Sequence, residues 1–304
     1  MIETLTIESI DQVHRLATAT KPGHPLISVV GASWQPPMEV NVPLINRRII
    51  SHLYSASLKQ GNECGLKYGR TSYDFQEGSL LSIAPGQSIV PITEASDLRR
   101  EHDGWTLLFH PDLLRGTSLA AKMHQYTFFN YDSNEALHLS AAEQNTLTEI
   151  VKKIEEEYAR IDEFSDELLV SHLRLFLSYC KRFYGRQFIT RGNANCNVAV
   201  RLETFLREYF DSGRPHDDGL PSVLGCAKAL GYSADYLSDL LRKETGKSTR
   251  EHIHHFLIEI AKDALLGSDR TVSEIAFSLG FEYPQHFSKL FKSRTGVSPG
   301  TYRH

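Results

Sequence analysis

No run of about 18 apolar residues occurs anywhere in the 304-residue chain, so no segment has the length and composition of a membrane-spanning helix. The first residues, MIETLTIESIDQVHR, lack a basic stretch followed by an apolar one, and no secretory signal is expected. The four cysteines, Cys64, Cys180, Cys196 and Cys226, stand alone with no CxxC pair. That spacing excludes a local zinc knuckle or dithiol redox motif and points to reduced thiols in the cytoplasm. There is no Gly-x-Ser-x-Gly elbow and no phosphate loop, the signatures of two large enzyme classes. A strong basic excess is missing too: 33 Lys and Arg face 37 Asp and Glu, a net charge of -4. The charge is uneven. From Leu220 onward 11 Lys and Arg face 9 Asp and Glu, a net of +2, which leaves -6 for the rest. That is the sign expected if only the C-terminal part meets phosphates. What is present, 41% hydrophobic and 23% charged residues, fits an ordinary globular chain of about two domains.

From His24 to about Leu108 the apolar segments are short: Leu26–Gly31, Ile49–Leu58, Leu80–Ala84 and Trp105–Phe109. Gly, Pro and Asn separate them, as at Pro36-Pro37, Gly61-Asn62 and Pro85-Gly86. Strands so spaced predict a small β-sandwich or barrel. The piece GSLLSIAPGQ (Gly78–Gln87) resembles a strand and turn of cupin barrels. Cupin enzymes hold a metal with a His-x-His pair, yet the corresponding stretch Gly61–Gly78 has no histidine, so neither a metal nor another cofactor is expected. His52, His102 and His110 lie singly and read as structural or surface residues rather than ligands.

Near Pro111 the period turns helical. Pro111–Tyr126 predicts one or two short helices, and Tyr126–Tyr131 (YTFFNY) is an aromatic run suited to packing or to lining a ligand. Ser140 with Glu143 forms a capping box that opens a helix bearing Leu147, Ile150, Val151, Ile154 and Tyr158. A second helix, from Asp166 to about Tyr184, carries Leu169, Leu173, Phe176, Leu177 and Cys180 along one stripe. Leu168, Val170, Leu175, Tyr179 and Phe183 make it apolar beyond that stripe, so it is either deeply buried or shared with a partner such as a second copy. Tyr184–Asn197 reads as an interdomain linker, Val198–Phe210 as an amphipathic helix, and Asp211–Gly219 as a polar loop.

The C-terminal part repeats itself. Cys226–Ser248 (CAKALGYSADYLSDLLRKETGKS) lies beside Ile275–Ser298 (IAFSLGFEYPQHFSKLFKSRTGVS). Ala227, Leu230, Gly231 and Tyr232 match Ala276, Leu279, Gly280 and Phe281. After one extra residue in the second turn, Leu237, Ser238, Leu240 and Leu241 match Phe287, Ser288, Leu290 and Phe291. Thr271 with Glu274 caps the entry to the second copy, and Gly280 sits where a helix end favours a left-handed residue. Each copy therefore predicts two short helices across a tight turn, the plan of a helix-turn-helix. Between them Ser248–Leu266, with a capping box at Ser248 and Glu251, predicts a connecting helix of about 18 residues, roughly 27 Å long at 1.5 Å per residue. It could set two reading helices about one DNA turn (~34 Å) apart.

With these motifs in place, the last 85 residues resemble the AraC/XylS family of bacterial transcription regulators, most closely in LGFEYPQHFSKLFKSRTGVSPGTYR. The N-terminal part, with FHPDLL, YDSNEALHLS and FYGRQFITR, resembles regulators with a cupin-like sensor domain. The resemblance implies an α+β chain: a cupin-like sensor over 1–138, a helical linker or dimerisation segment over 139–190, and an all-α double helix-turn-helix domain over 197–304. It also implies binding to double-stranded DNA, activation or repression with RNA polymerase as a partner, usually as a homodimer, and a small-molecule effector in the N-terminal domain. Carried onto this chain, the groove-facing positions are Asp235, Ser238, Asp239 and Arg242 in the first copy. In the second they are Pro284, Gln285, His286, Ser288, Lys289 and Lys292. Asp235 and Asp239 would repel phosphates unless they accept from cytosine N4, whereas Gln285 suits adenine and Lys289 suits guanine or a phosphate. Base reading is therefore expected to fall mainly on the second copy. Two other functions fit the sequence less well. A cupin-type enzyme with a helical appendage lacks its metal ligands, and a helical-repeat adaptor for another protein is favoured only by the low basic charge.

Overall fold

The computed structural model describes residues 4–17, 21–31, 48–59, 65–68, 71–74, 78–91, 104–132, 135–194 and 198–303. The chain forms two compact units, Met1–Gln187 and Phe188–His304.

The first unit begins with β1 (Thr4–Ile7), α1 (Ile10–Ala17) and β2 (Ile27–Gly31). There follow β3 (Arg48–Ser51), β4 (Tyr54–Lys59), β5 (Gly65–Tyr68), β6 (Thr71–Asp74), β7 (Ser79–Ile83), β8 (Ser88–Pro91) and β9 (Gly104–Phe109). Three 3-10 turns, Pro111–Leu114, Ala120–Gln125 and Thr127–Asn130, lead to β10 (Leu137–His138), α2 (Ala141–Tyr158) and α3 (Ser165–Ala194). The strands form two five-stranded sheets, ordered β1-β3-β8-β5-β6 and β10-β7-β4-β9-β2. Among the described residues no strand pair joins one sheet to the other, so the expected closed barrel is found as two separate sheets. Much of the cupin-like stretch Gly61–Gly78 lies outside the described residues.

The helices cover the second of these sheets. Trp105 of β9 donates from Nε1 to Thr148 Oγ1 of α2 (3.0 Å), and its ring meets Phe176 of α3 edge-on at 5.8 Å. The hydroxyl of Tyr158 accepts from the backbone of Val29 (3.3 Å). Every residue of β7 is buried, which explains its unbroken rather than alternating pattern. The aromatic run is core: Phe128 stacks on Tyr184 (5.4 Å), and Phe129 meets Tyr54 edge-on (4.8 Å).

Residues 184–194 continue α3 instead of forming a linker. Gly185 is tolerated because anchors persist on both sides of it. Phe183, Tyr184 and Gln187 are buried, and the Gln187 amide accepts from His138 N (2.7 Å) and donates to Ala136 O (3.2 Å). Only 195–197 of that stretch lie outside the described residues. Of the helical linker or dimerisation segment expected over 139–190, the part up to Gln187 falls in the first unit. Leu169, Leu173, Phe176, Leu177 and Cys180 of α3 are fully buried, whereas Leu168 and Leu175 are 43% and 46% exposed.

The second unit is all helical: α4 (Val198–Asp211), α5 (Arg214–Asp218), α6 (Val223–Leu230), α7 (Ala234–Thr245), α8 (Thr249–Gly267), α9 (Val272–Ser278), α10 (Pro284–Thr295) and α11 (Pro299–Arg303). The expected polar loop 211–219 contains α5, because Gly213 and Gly219 supply left-handed turns (φ 76° and 75°) and Pro215 presets its first turn. One core gathers Leu257, Ile258, Ala261 and Leu265 of α8 with Ile275, Ala276, Leu279, Phe281, Phe287 and Phe291. Loss of either fully buried phenylalanine would cost about 3–5 kcal/mol. Among the described residues no helix is long and apolar enough to cross a membrane.

Candidate nucleic-acid interface

The two copies are built alike at their turns. In the first, Ser222 caps α6 and accepts from Gly225 N (2.9 Å). Gly231 then turns left-handed (φ 81°), and Tyr232 N reaches back to Ala227 O (2.9 Å). In the second, Thr271 and Glu274 form a full capping box at α9, Gly280 turns left-handed (φ 89°), and Phe281 N reaches back to Ala276 O (3.0 Å). Both are the six-to-one bond that ends a helix and fixes the exit of the chain. The aromatic residue after each glycine then seals the turn: Tyr232 stacks on Tyr236 (5.6 Å), and Phe281 packs on Phe287 (5.4 Å).

With the inner faces fixed, the outer faces follow. In α7, Tyr236, Leu237, Leu240 and Leu241 are buried, which leaves Asp235, Ser238 and Asp239 half-buried on the other side and Arg242 exposed. In α10, burial of Phe287 and Phe291 turns out Gln285, Ser288, Lys289 and Lys292. The register aligns Asp235 with Gln285, Ser238 with Ser288, Asp239 with Lys289 and Arg242 with Lys292.

The two faces differ chemically. Gln285, Lys289 and Lys292 are exposed, and no side-chain hydrogen bond or ion pair engages them among the described residues. Ser288 is half-buried. His286 is exposed, and its ring meets Tyr283 at 5.4 Å. On α7, Ser238 Oγ lies 3.0 Å from Thr249 Oγ1, a residue fully buried at the start of α8, and Asp235 is half-buried. Asp239 Oδ1 accepts from Arg242 Nη1 (3.3 Å), with side-chain exposures of 20% and 58%.

The sequence did not single out the cations around α8. Arg250 is exposed in its first turn, and Arg294 of α10 lies with Nη2 3.3 Å from His254 Nδ1. Burial, and then Arg294 and Arg250, hold the His254 pKa below the ordinary value. No local spacing links residues 40 apart, which is why pattern alone could not pair them. Among the described residues there is no cluster of three His, Cys, Asp or Glu side chains placed to hold a metal ion.

A family model described as a helix-turn-helix domain matches residues 226–304, which contain both copies. The regulatory protein SoxS of Salmonella typhimurium is 33% identical over 78 residues, which span 73% of that protein and 26% of this chain. The chain belongs to the AraC/XylS family of transcription regulators. The HTH-type transcriptional regulator YijO of Escherichia coli K12 is 32% identical over 127 residues, 42% of each chain. Among solved structures, the C-terminal domain of the response regulator AraT from Geobacillus stearothermophilus is 28% identical, with a TM-score of 0.31, covering 35% of this chain and 84% of that one. The match to YijO thus spans less than half of that relative's length. The AraC/XylS membership rests on the second unit, where the two copies lie.

Proposed function

We propose that this AraC/XylS protein is a sequence-specific transcription regulator, and not an enzyme, that grips double-stranded DNA chiefly with α10. The observation that carries this is the uncommitted stripe Gln285, Lys289 and Lys292 on the outer face of a helix whose inner face is locked by Phe287 and Phe291. A helix so held can enter a major groove, where Gln suits adenine and Lys suits guanine or a phosphate. The first copy docks beside it, one segment further along the duplex.

The first unit is the controlling part. We propose a cupin-like sensor that takes a small-molecule effector, and a homodimer whose contact runs along α3. Phe164, Leu168 and Leu175 support that contact: they are exposed (59%, 43% and 46%), and Leu168 and Leu175 recur seven residues apart on one line of the helix. Bound at a promoter in the cytoplasm, the regulator would act on RNA polymerase, most simply as an activator.

The deciding experiment is a salt titration of the full chain on a random duplex. Log affinity should fall linearly with log salt concentration, because each neutralised phosphate releases counterions. Flat or absent binding would sink the DNA function and favour an adaptor for another protein.

A further inference from the structure

We propose that Asp239 acts against binding: it holds Arg242 and keeps the first copy from gripping phosphates, whatever the sequence. The proposal rests on the DNA-binding function above.

The internal repeat supplies the control. At three matched outward positions α10 carries Gln285, Lys289 and Lys292, a charge of +2, and α7 carries Asp235, Asp239 and Arg242, a charge of -1. The two copies share their left-handed glycines and aromatic seals; they differ at their caps, where Ser233 caps α7 and Tyr283 with Pro284 opens α10, and in the charge of their outer faces. The one cation among the three on α7 is already engaged, its Nη1 3.3 Å from Asp239 Oδ1. Arg242 also lies in the field of Glu251 in the first turn of α8. The hydroxyl beside it, Ser238, is turned to Thr249 (3.0 Å).

Sequence-independent affinity comes from cations that neutralise phosphates, and an exposed acid among phosphates is repelled. The pair lies on a helix surface with Arg242 well exposed, where such pairs are weak, about 0–1 kcal/mol, so Asp239 does not immobilise Arg242 permanently. What Asp239 adds near DNA is the same negative charge twice over: it competes with phosphate for Arg242, and it faces phosphate itself. Operator and random DNA present the same phosphates, so this charge lowers the affinity of the first copy for both and leaves the grip on DNA chiefly to the second copy.

The test uses the full chain and a random duplex over a series of salt concentrations. Asp239→Asn should steepen the log–log salt slope by about 0.9, one additional phosphate, and tighten random binding about 5- to 10-fold at 0.1 M salt. Asp239→Lys, the residue of the second copy, should gain more, on operator and random DNA alike. Arg242→Gln should change the wild type little and remove the gain of Asp239→Asn. Unchanged affinity and slope in both Asp239 variants would overturn the proposal. Weaker operator binding with tolerance gained at a single C·G pair would also overturn it, since Asp239 would then be reading cytosine. A wild type that binds no duplex at any salt sinks the DNA function and this inference together. A wild type that binds while Asp239→Asn gains nothing sinks the inference alone.

Discussion

A Cβ placed on Gly280 would stand 2.8 Å from the carbonyl carbon of Gly219 and 2.8 Å from Pro215 O. The left-handed turn of the second helix-turn-helix is therefore closed by backbone as well as by its own φ of 89°. Its counterpart Gly231 has the same left-handed conformation (φ 81°) but nothing within 4 Å of such a Cβ. Both glycines avoid a left-handed cost of about 1–2 kcal/mol, and only Gly280 also avoids a steric one. Gly231→Ala should destabilise by about 1 kcal/mol, whereas Gly280→Ala should exceed that by about 1–3 kcal/mol because backbone must shift. Urea denaturation of the two variants measures the difference, and equal losses would refute the close approach.

Gln285→Ala and Lys289→Ala should each weaken binding to a selected operator while leaving the melting temperature unchanged, because both side chains are exposed and unengaged. If each reads a base, the loss is about 1–3 kcal/mol, or roughly 5- to 150-fold, and tolerance appears at one base pair. If Lys289 instead meets a phosphate, operator and random DNA weaken together. Operator-to-random ratios unchanged in both variants would remove α10 from its assigned place.

Acid should loosen the second unit at its capping boxes. The Glu274 carboxylate accepts from Thr271 N (2.6 Å) and Thr271 Oγ1 (2.9 Å), and these bonds hold its pKa below the ordinary value. Glu251 is held down by Ser248 in the same way. A carboxylate with a depressed folded pKa stabilises above its unfolded pKa, and that contribution is lost as pH falls through the folded value. Glu274→Gln keeps an acceptor but cannot titrate. Its melting temperature should fall less steeply than that of the wild type between pH 5 and pH 3 (roughly the range in which a carboxylate with an ordinary pKa protonates). Parallel curves would mean that the box contributes nothing on ionisation.

Leu175→Asp should produce monomers without unfolding the first unit. The side chain is outside the core, so burial provides no reason for large destabilisation. Sedimentation velocity of the wild type and this variant gives the answer. If the two sediment alike as dimers, the shared surface lies elsewhere; if both are monomeric, α3 has no such role.

The DNA-binding unit was legible because its signals are local. The caps at Ser248 and Thr271, the left-handed Gly280 and the repeat of apolar positions each involve residues within a few positions of one another. The first unit was legible only in outline. Its strands β2, β4, β7 and β9 stand out as apolar runs, yet their pairing joins Trp105 to Leu58 and Gly31, a relation no local pattern contains. The continuation of α3 past Gly185 was missed because Gln187 looks like a linker residue until its amide is seen between His138 and Ala136. Composition likewise could not show that Arg242 is engaged by Asp239, because the ion pair depends on side-chain direction within one helix turn.

Helix α8 has 19 residues, about 28 Å at 1.5 Å per residue, and cannot lengthen without breaking its hydrogen bonds. It therefore fixes a phase between the two reading helices as well as a distance. Inserting about five base pairs between the segments they contact would rotate one segment to the far side of a duplex of roughly 10.5 base pairs per turn, whereas inserting a full turn would restore the side but exceed the span. A binding site for one chain is thus a single block of fixed length, and any tolerance to spacing in a promoter must arise outside that block.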